Sequence, residues 1–255
     1  MNLTAIVINF LREPYLFKCL ESLRTQYPDI KILVAENGKP SKRTQKKVES
    51  YGAVYVPIEF DAGICRARNT LVGLAGTDYV LIGDDDFFYN HNAGVDKMLA
   101  FLERHPEYAL IGGRIFENEK IRDYQGYFDF VTDENGEGLV YRKLEMNDWL
   151  KDEIQYKECD LVFNYFVARK KDIIQWDNNI KVSYEHSTFF IDLKRAGKKV
   201  VFAPDCIVTH KPKLDKEYNF GEYAKYRYRK LDKQRFFNRN NIVWARDMNG
   251  NFDTL

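Results

Sequence analysis

From residue 5 to residue 102 the chain alternates short apolar runs with stretches whose apolar residues recur at helical spacing. Ala5–Asn9 reads as a strand. Leu16, Cys19, Leu20 and Leu23 then mark one helical face, with Pro14 where a first helical turn tolerates it. Ile30–Ala35 and Val54–Ile58 are further strands, and Glu36-Asn37-Gly38 closes the first of these with a turn signal. Arg66–Ala75 reads as a helix, Tyr79–Ile82 as a strand, and Val95, Met98, Leu99 and Leu102 as another helical face. Such β–α repetition predicts an α/β fold with a mostly parallel central sheet flanked by helices. Ligands of such sheets bind beyond the carboxyl ends of the strands.

Past residue 120 the pattern changes. Tyr127–Val131 and Leu139–Arg142 flank Asp133-Glu134-Asn135-Gly136, which predicts a small antiparallel hairpin. Asp160–Ala168 reads as one long strand and Glu185–Ala196 as a helix stopped by Gly197. Lys199–Ala203 and Cys206–Thr209 read as two short strands around Pro204. Residues 211–239 carry ten Lys/Arg against four Asp/Glu, interleaved with Tyr218, Phe220, Tyr223, Tyr226, Tyr228, Phe236 and Phe237. The plain reading of this tail is a C-terminal helix packed by its aromatics with a solvated basic face. The sharper one is a patch facing an anionic acceptor or a lipid headgroup, a peripheral membrane contact.

The 255 residues suffice for one large α/β domain or two small ones, and a 45% hydrophobic fraction supports a real core. A net charge of +1 argues against nucleic acid as a partner. Cys19, Cys65, Cys159 and Cys206 form no CxxC pair and are expected reduced and buried. The opening MNLTAIVINFL has no basic leader region, and no run approaches the roughly 20 apolar residues of a membrane span. The expectation is a soluble, cytoplasmic protein that works alone or at the inner face of a membrane.

The strongest chemical signal is Asp84-Asp85-Asp86 directly after the apolar run Tyr79–Ile82. Three adjacent like charges call for a positive partner. A hard divalent cation, Mn²⁺ or Mg²⁺, bridging to a diphosphate fits oxygen ligands of this kind. The plain reading is an acidic turn or helix cap. His210 ends the strand Cys206–Thr209 and is a second candidate metal ligand beside Asp86, against a capping or core histidine. Glu185 and His186 open a helix, where either can act as general base toward a hydroxyl; the plain reading is an acid favouring the helix dipole. Asp61–Asn69 joins strand to helix, with Gly63 for a tight turn and Arg66 and Arg68 placed to hold phosphate; the plain reading is an ordinary connection. No Walker A or G-x-G-x-x-G loop occurs.

Together these segments resemble the family 2 type of glycosyltransferase with the GT-A fold. Val7 to Leu23 looks like its first strand and helix, and Val34-Ala-Glu36-Asn37-Gly38 like its second strand with an acidic end. Gly63 to Asn69 resembles its G-x-x-x-ARN segment, Asp84–Asp86 falls where its DxD lies, and Tyr184 to Pro204 has the pattern of its ED stretch. Asp84-Asp-Asp-Phe, Gly112-Gly113, Asn164 to Arg169, Phe189 to Asp192 and Val208 to Lys213 look closer to the β-1,4-N-acetylgalactosaminyltransferases related to GM2 synthase. The resemblance implies an inverting, metal-dependent enzyme that moves a sugar (GalNAc, GlcNAc or Gal) from a UDP-sugar donor to a hydroxyl of a glycan or glycolipid acceptor. It implies Asp86 as main metal ligand with His210, Asp84 on the ribose or donor sugar, Glu36 on the base and Arg68 near the donor. Asn9, Asn37, Gly63 and Asp85 stand with them on the nucleotide-sugar side. His186 replaces the usual second acid of the ED motif, so the base is Glu185, His186 or Asp192. Phe10-Leu11 replaces the usual Tyr-Asn. The implied organisation is a GT-A domain over 1–212 and a basic, aromatic helical extension over 213–255 packed on it. Two other readings compete. A nucleotidyltransferase would want a glycine-rich basic loop after the first strand, where Asn9-Phe-Leu-Arg12-Glu-Pro14 has no glycine. A degenerate sugar-nucleotide binder would lack the metal site or the base.

Overall fold

A computed structural model describes residues 1–211, 221–227 and 229–255. In chain order the elements begin β1 (Leu3–Asn9), α1 (Glu13–Gln26), β2 (Lys31–Glu36), α2 (Lys42–Ser50), β3 (Val54–Pro57), α3 (Ile64–Leu74), β4 (Tyr79–Ile82), β5 (Phe87–Phe88) and α4 (Val95–Arg104). They continue β6 (Tyr108–Glu117), β7 (Lys120–Arg122), β8 (Gly126–Asp133), β9 (Gly136–Lys143), β10 (Leu150–Lys151), β11 (Gln155–Cys159) and β12 (Phe166–Arg169). Last come α5 (Glu185–Arg195), β13 (Lys199–His210), α6 (Gly221–Ala224), α7 (Lys230–Asn240), β14 (Trp244–Arg246) and β15 (Phe252–Thr254).

The main sheet runs β10-β11-β13-β6-β12-β4-β1-β2-β3. Its parallel block, β4-β1-β2-β3, is the β–α repetition of the first half folded up. β12 enters antiparallel between β4 and β6, and β13 returns parallel to β6. The two inner strands β1 and β4 are buried on both faces, which is why they read as continuous apolar runs, whereas β3 lies half-exposed at the edge. Leu16, Leu20, Val48, Met98 and Leu102 from α1, α2 and α4 pack on one face. Cys65, Leu71, Phe189, Phe190, Phe236 and Phe237 from α3, α5 and α7 pack on the other. Each such fully buried side chain contributes roughly 1.5–3 kcal/mol. All four cysteines are free and buried, as expected.

Three expectations change. The run 160–168 is not one strand: β11 ends at Cys159, an irregular stretch follows, and β12 begins at Phe166. Asp160 there accepts from Phe128 N at 2.9 Å and ties the stretch to the hairpin instead. The two strands expected around Pro204 are one strand, β13, with a register shift between Phe202 and Ile207 that absorbs the proline as a bulge. The segment expected as a helical extension, 213–255, holds α6 and α7 but then β14 and β15, which join the hairpin in a second sheet, β15-β14-β9-β8. Pro212, Lys213, Tyr218, Phe220 and Tyr228 lie outside the described residues, as does the 212/213 boundary. Among the described residues no helix is long and apolar enough to cross a membrane.

Candidate active site

The carboxyl ends of β1, β2 and β4 open into a cleft of about 540 Å³, whose walls include Asp84, Asp85, Asp86, Glu185, His186 and His210. β4 delivers the three aspartates directly from the sheet. β5 then pairs antiparallel with the end of β13, setting Phe87 opposite His210. His210 Nε2 thereby lies 2.9 Å from Asp86 Oδ2, while its Nδ1 lies 2.5 Å from Glu117 Oε2 at the end of β6.

The same Asp86 oxygen also accepts a short hydrogen bond from Arg12, whose other terminal nitrogen is 3.4 Å from Asp85 Oδ1. Arg12 was not among the residues singled out in the sequence. Leu11 before it takes a left-handed φ of 57°, unusual for a branched side chain, and this turn sends the arginine inward from the end of β1.

On the facing wall α5 starts at Tyr184, also left-handed at φ 64°, and presents Glu185 and His186. Arg68 of α3, 2% exposed, holds Glu185 Oε2 at 2.6 Å and approaches Asp84 Oδ1 at 3.6 Å. Asn164 bridges the pair: its Nδ2 is 3.4 Å from Glu185 Oε1, and its Oδ1 accepts from His186 Nδ1 at 2.6 Å. With Nδ1 as the donor, Nε2 carries the lone pair, and that atom is buried with no hydrogen-bond partner among the described residues.

Asn9, Glu36 and Asn37 sit together behind the β1–β2 end of the cleft. Asn9 Nδ2 donates to Glu36 Oε2 at 2.7 Å and Gly38 N to Glu36 Oε1 at 2.9 Å. Of the three, Asn37 is the one that lines the cleft. Gly63 does not line it. Its φ of 97° and a Cβ position only 2.9 Å from Lys181 Cα explain the residue: it lets α3 start against the segment leading to α5. Asp232 of α7 secures that segment, accepting from the backbone of Lys181, Val182 and Ser183 at 3.1, 2.9 and 3.0 Å.

Residues 4–174 match the sequence model of a family described as Glycosyl transferase family 2. The chain belongs to that family. It is 29% identical over 243 residues to β-1,4 N-acetylgalactosaminyltransferase 1 of Rattus norvegicus, which covers 89% of this chain and 44% of the relative. It is 28% identical over 219 residues to β-1,4 N-acetylgalactosaminyltransferase 2 of Mus musculus, with 82% and 39% covered. The chain thus spans less than half the length of these relatives. Among solved structures, GalNAc-T7 with UDP, GalNAc and Mn²⁺ superposes with a TM-score of 0.63 at 12% identity, over 92% of this chain and 49% of that one. S. aureus TarS 1-349 gives 0.57 at 16%, over 83% and 60%. Both share the GT-A architecture with this family 2 chain.

The charges in its cleft are unevenly compensated. Burial and the neighbouring aspartates push Asp85 up to about 8, against the pull of Arg12. Burial also raises Asp84, with Arg68 opposing; its side chain keeps 43% exposure, so water moderates the effect. Asp86 goes the other way: burial opposes ionisation, but the His210 hydrogen bond and the Arg12 charge outweigh it. Burial, then the Arg68 charge, holds His186 down at about 3, a neutral imidazole at ordinary pH. Asp192, the third candidate base, does not line the cleft. It pairs with Arg239 of α7 at 2.6 Å, two turns along α5 from Glu185. Besides Arg12, Glu117 has no signal in the sequence, and Asn164 stands out only as the start of the segment Asn164 to Arg169. Arg12 had one visible signal, a lone arginine directly after the first strand of a chain with an acidic triplet.

Among the described residues no three His, Cys, Asp or Glu side chains form a ready cage for a metal ion. The donor chemistry nevertheless suits a hard cation. Asp86 and His210 point at each other within hydrogen-bond distance, and Asp84 and Asp85 flank them. One of the two Asp86 oxygens, Oδ2, is engaged by both Arg12 and His210.

Proposed function

We propose that this glycosyltransferase moves a hexose or N-acetylhexosamine from a UDP-sugar to a hydroxyl of a glycan acceptor, with inversion and with a divalent cation. One observation carries the reading: the aspartate triplet, His210 and the Glu185–His186 pair line one cleft beyond the strand ends of a family 2 fold. Asp86 and His210 would hold Mn²⁺ or Mg²⁺, whose charge would neutralise the diphosphate leaving group. The neighbour solved with UDP, GalNAc and Mn²⁺ and the N-acetylgalactosaminyltransferase relatives favour a UDP-linked amino sugar.

The chain's own groups divide the work. Asn37 meets the nucleoside from the cleft wall, with Asn9 and Glu36 bonded to each other behind it, and Asp84 reaches toward the ribose or the sugar. At the opposite wall the acceptor hydroxyl approaches the anomeric carbon from the face away from the nucleotide. A bond forms from its oxygen to that carbon, the bond to the diphosphate oxygen breaks, and the hydroxyl proton passes to the Glu185–His186 pair. Arg68 and Asn164 fix the pair from behind, so little reorganisation is needed when the proton arrives.

A thermal-shift screen with UDP-, GDP- and CMP-sugars, each with and without Mn²⁺, tests this. The expected result is a Mn²⁺-dependent shift with UDP-sugars and slow UDP release without acceptor. Stabilisation by a nucleoside triphosphate and sugar phosphate instead would mark a nucleotidyltransferase. Binding with no nucleotide release under any acceptor would mark a sugar-nucleotide binder.

A further inference from the structure

Arg12 is held in an unusual way. Its guanidinium is buried between the rings of Tyr15 at 4.5 Å and Tyr223 at 5.1 Å. It reaches two of the three aspartates, yet its Nε has no partner among the described residues. Its terminal nitrogen and His210 Nε2 converge on one oxygen, Asp86 Oδ2, so that atom already serves two donors. The arginine lines the cleft, on the wall a diphosphate would face. A guanidinium is a planar fork that fits carboxylate and phosphate oxygens equally well.

We propose that Arg12 is an exchangeable counter-charge: it holds Asp85 and Asp86 in the ligand-free protein, competes with the divalent cation for Asp86, and turns onto the donor's diphosphate when both arrive. This deepens the proposed function and rests on its metal-dependent reading. The logic is a balance of charge. A cation entering alone must displace the guanidinium into a buried setting with no new anion. A cation entering with a nucleoside diphosphate brings an anion that accepts the released fork. Cation and nucleotide therefore bind cooperatively, and Arg12 carries the coupling. In either state Tyr15 and Tyr223 offer the guanidinium their ring faces.

The test is binding, not turnover. Mn²⁺ affinity is measured by the loss of free Mn²⁺ signal in electron paramagnetic resonance, with and without saturating UDP, for the wild type, Arg12→Met and Arg12→Lys. In the wild type UDP should tighten Mn²⁺ by roughly tenfold or more, a usual size for coupled sites. Arg12→Met should bind Mn²⁺ alone more tightly than wild type and lose most of that coupling; Arg12→Lys, with a point charge in place of the fork, should fall between. Unchanged Mn²⁺ affinity and coupling in a folded Arg12→Met protein overturn the inference while leaving metal dependence intact. A wild type that binds no Mn²⁺ even with UDP overturns the metal reading itself, and the inference with it. Should Arg12→Met fail to fold, Arg12→Lys decides: coupling equal to wild type counts against the exchange.

Discussion

Two charged clusters share the cleft and are built on opposite plans. At Asp84–Asp86 three carboxylates meet cations supplied by the end of a strand and by the turn after β1, and one aspartate oxygen is shared by Arg12 and His210. At Glu185 a single carboxylate is clasped by Arg68, 2% exposed on α3, and steadied by Asn164. The first cluster has more anion than its partners compensate, and burial raises Asp85 accordingly. The second is matched and enclosed. In the proposed function the first cluster takes up a cation with a diphosphate and releases both, which needs partners that can change. The second receives one proton at a fixed place, which needs partners that cannot.

The comparison breaks most visibly in turnover. Glu185→Gln or His186→Gln at whichever residue takes the proton should lower kcat by about 10²–10⁴-fold. Donor KM should change little, because a base acts in the transition state. Parallel losses of kcat and of thermal stability would assign the residue to helix capping instead. Next in size is stability. Arg68→Met strands the buried Glu185 charge and should cost about 3–5 kcal/mol in a denaturant melt. Mn²⁺ should not restore that loss, whereas it should restore the midpoint of Arg12→Met; equal behaviour of the two variants would erase the distinction drawn here. Asp86→Ala should weaken Mn²⁺-dependent UDP binding by about a hundredfold, seen by calorimetry, without harming the Glu185 cluster. Binding that is unchanged would remove Asp86 from the metal.

The smallest effect is a pH slope. His186 falls from an ordinary 6.5 to about 3 in the folded chain. Between those values the unfolded chain binds a proton that the folded one does not, so stability is full above pH 6.5 and declines as the pH falls toward 3. The slope has a ceiling of about 1.4 kcal/mol per pH unit, and partial access of water from the cleft brings it below that. His186→Gln should flatten this part of a urea-unfolding profile; an unaltered slope would place the acid sensitivity elsewhere.

Much of this was legible in the residues. The parallel block announced itself because doubly buried strands are short unbroken apolar runs, as Tyr79–Ile82 is. The aspartates, His210 and the Glu185–His186 pair stood out because each lies at the boundary of such a run or of a helix, and the fold brings them to one cleft. β6 was missed because Gly112-Gly113 reads as a turn. In the fold Gly113 is forced by contact, since a Cβ there would lie 2.3 Å from Cys206 O on the neighbouring strand. β13 looked like two strands because a proline at a bulge has the same sequence signature as one at a break. Arg12 is marked only by its place after the first strand, and Asn164 only by its place in the segment Asn164 to Arg169. Their roles come from pairing across 74 and 22 residues, which spacing along the chain does not encode.

The outermost strand of the second sheet reaches further than its position suggests. Asp253 of β15 accepts a short hydrogen bond from the Tyr184 hydroxyl and pairs with Lys233 of α7 at 2.5 Å. Tyr184 is the left-handed residue that aims Glu185 and His186. β15 therefore acts as a guy-line between α7 and the residue that opens α5. Loosening that tie, as Asp253→Ala would, is expected to be felt as altered chemistry at Glu185 and His186 before it is felt as unfolding.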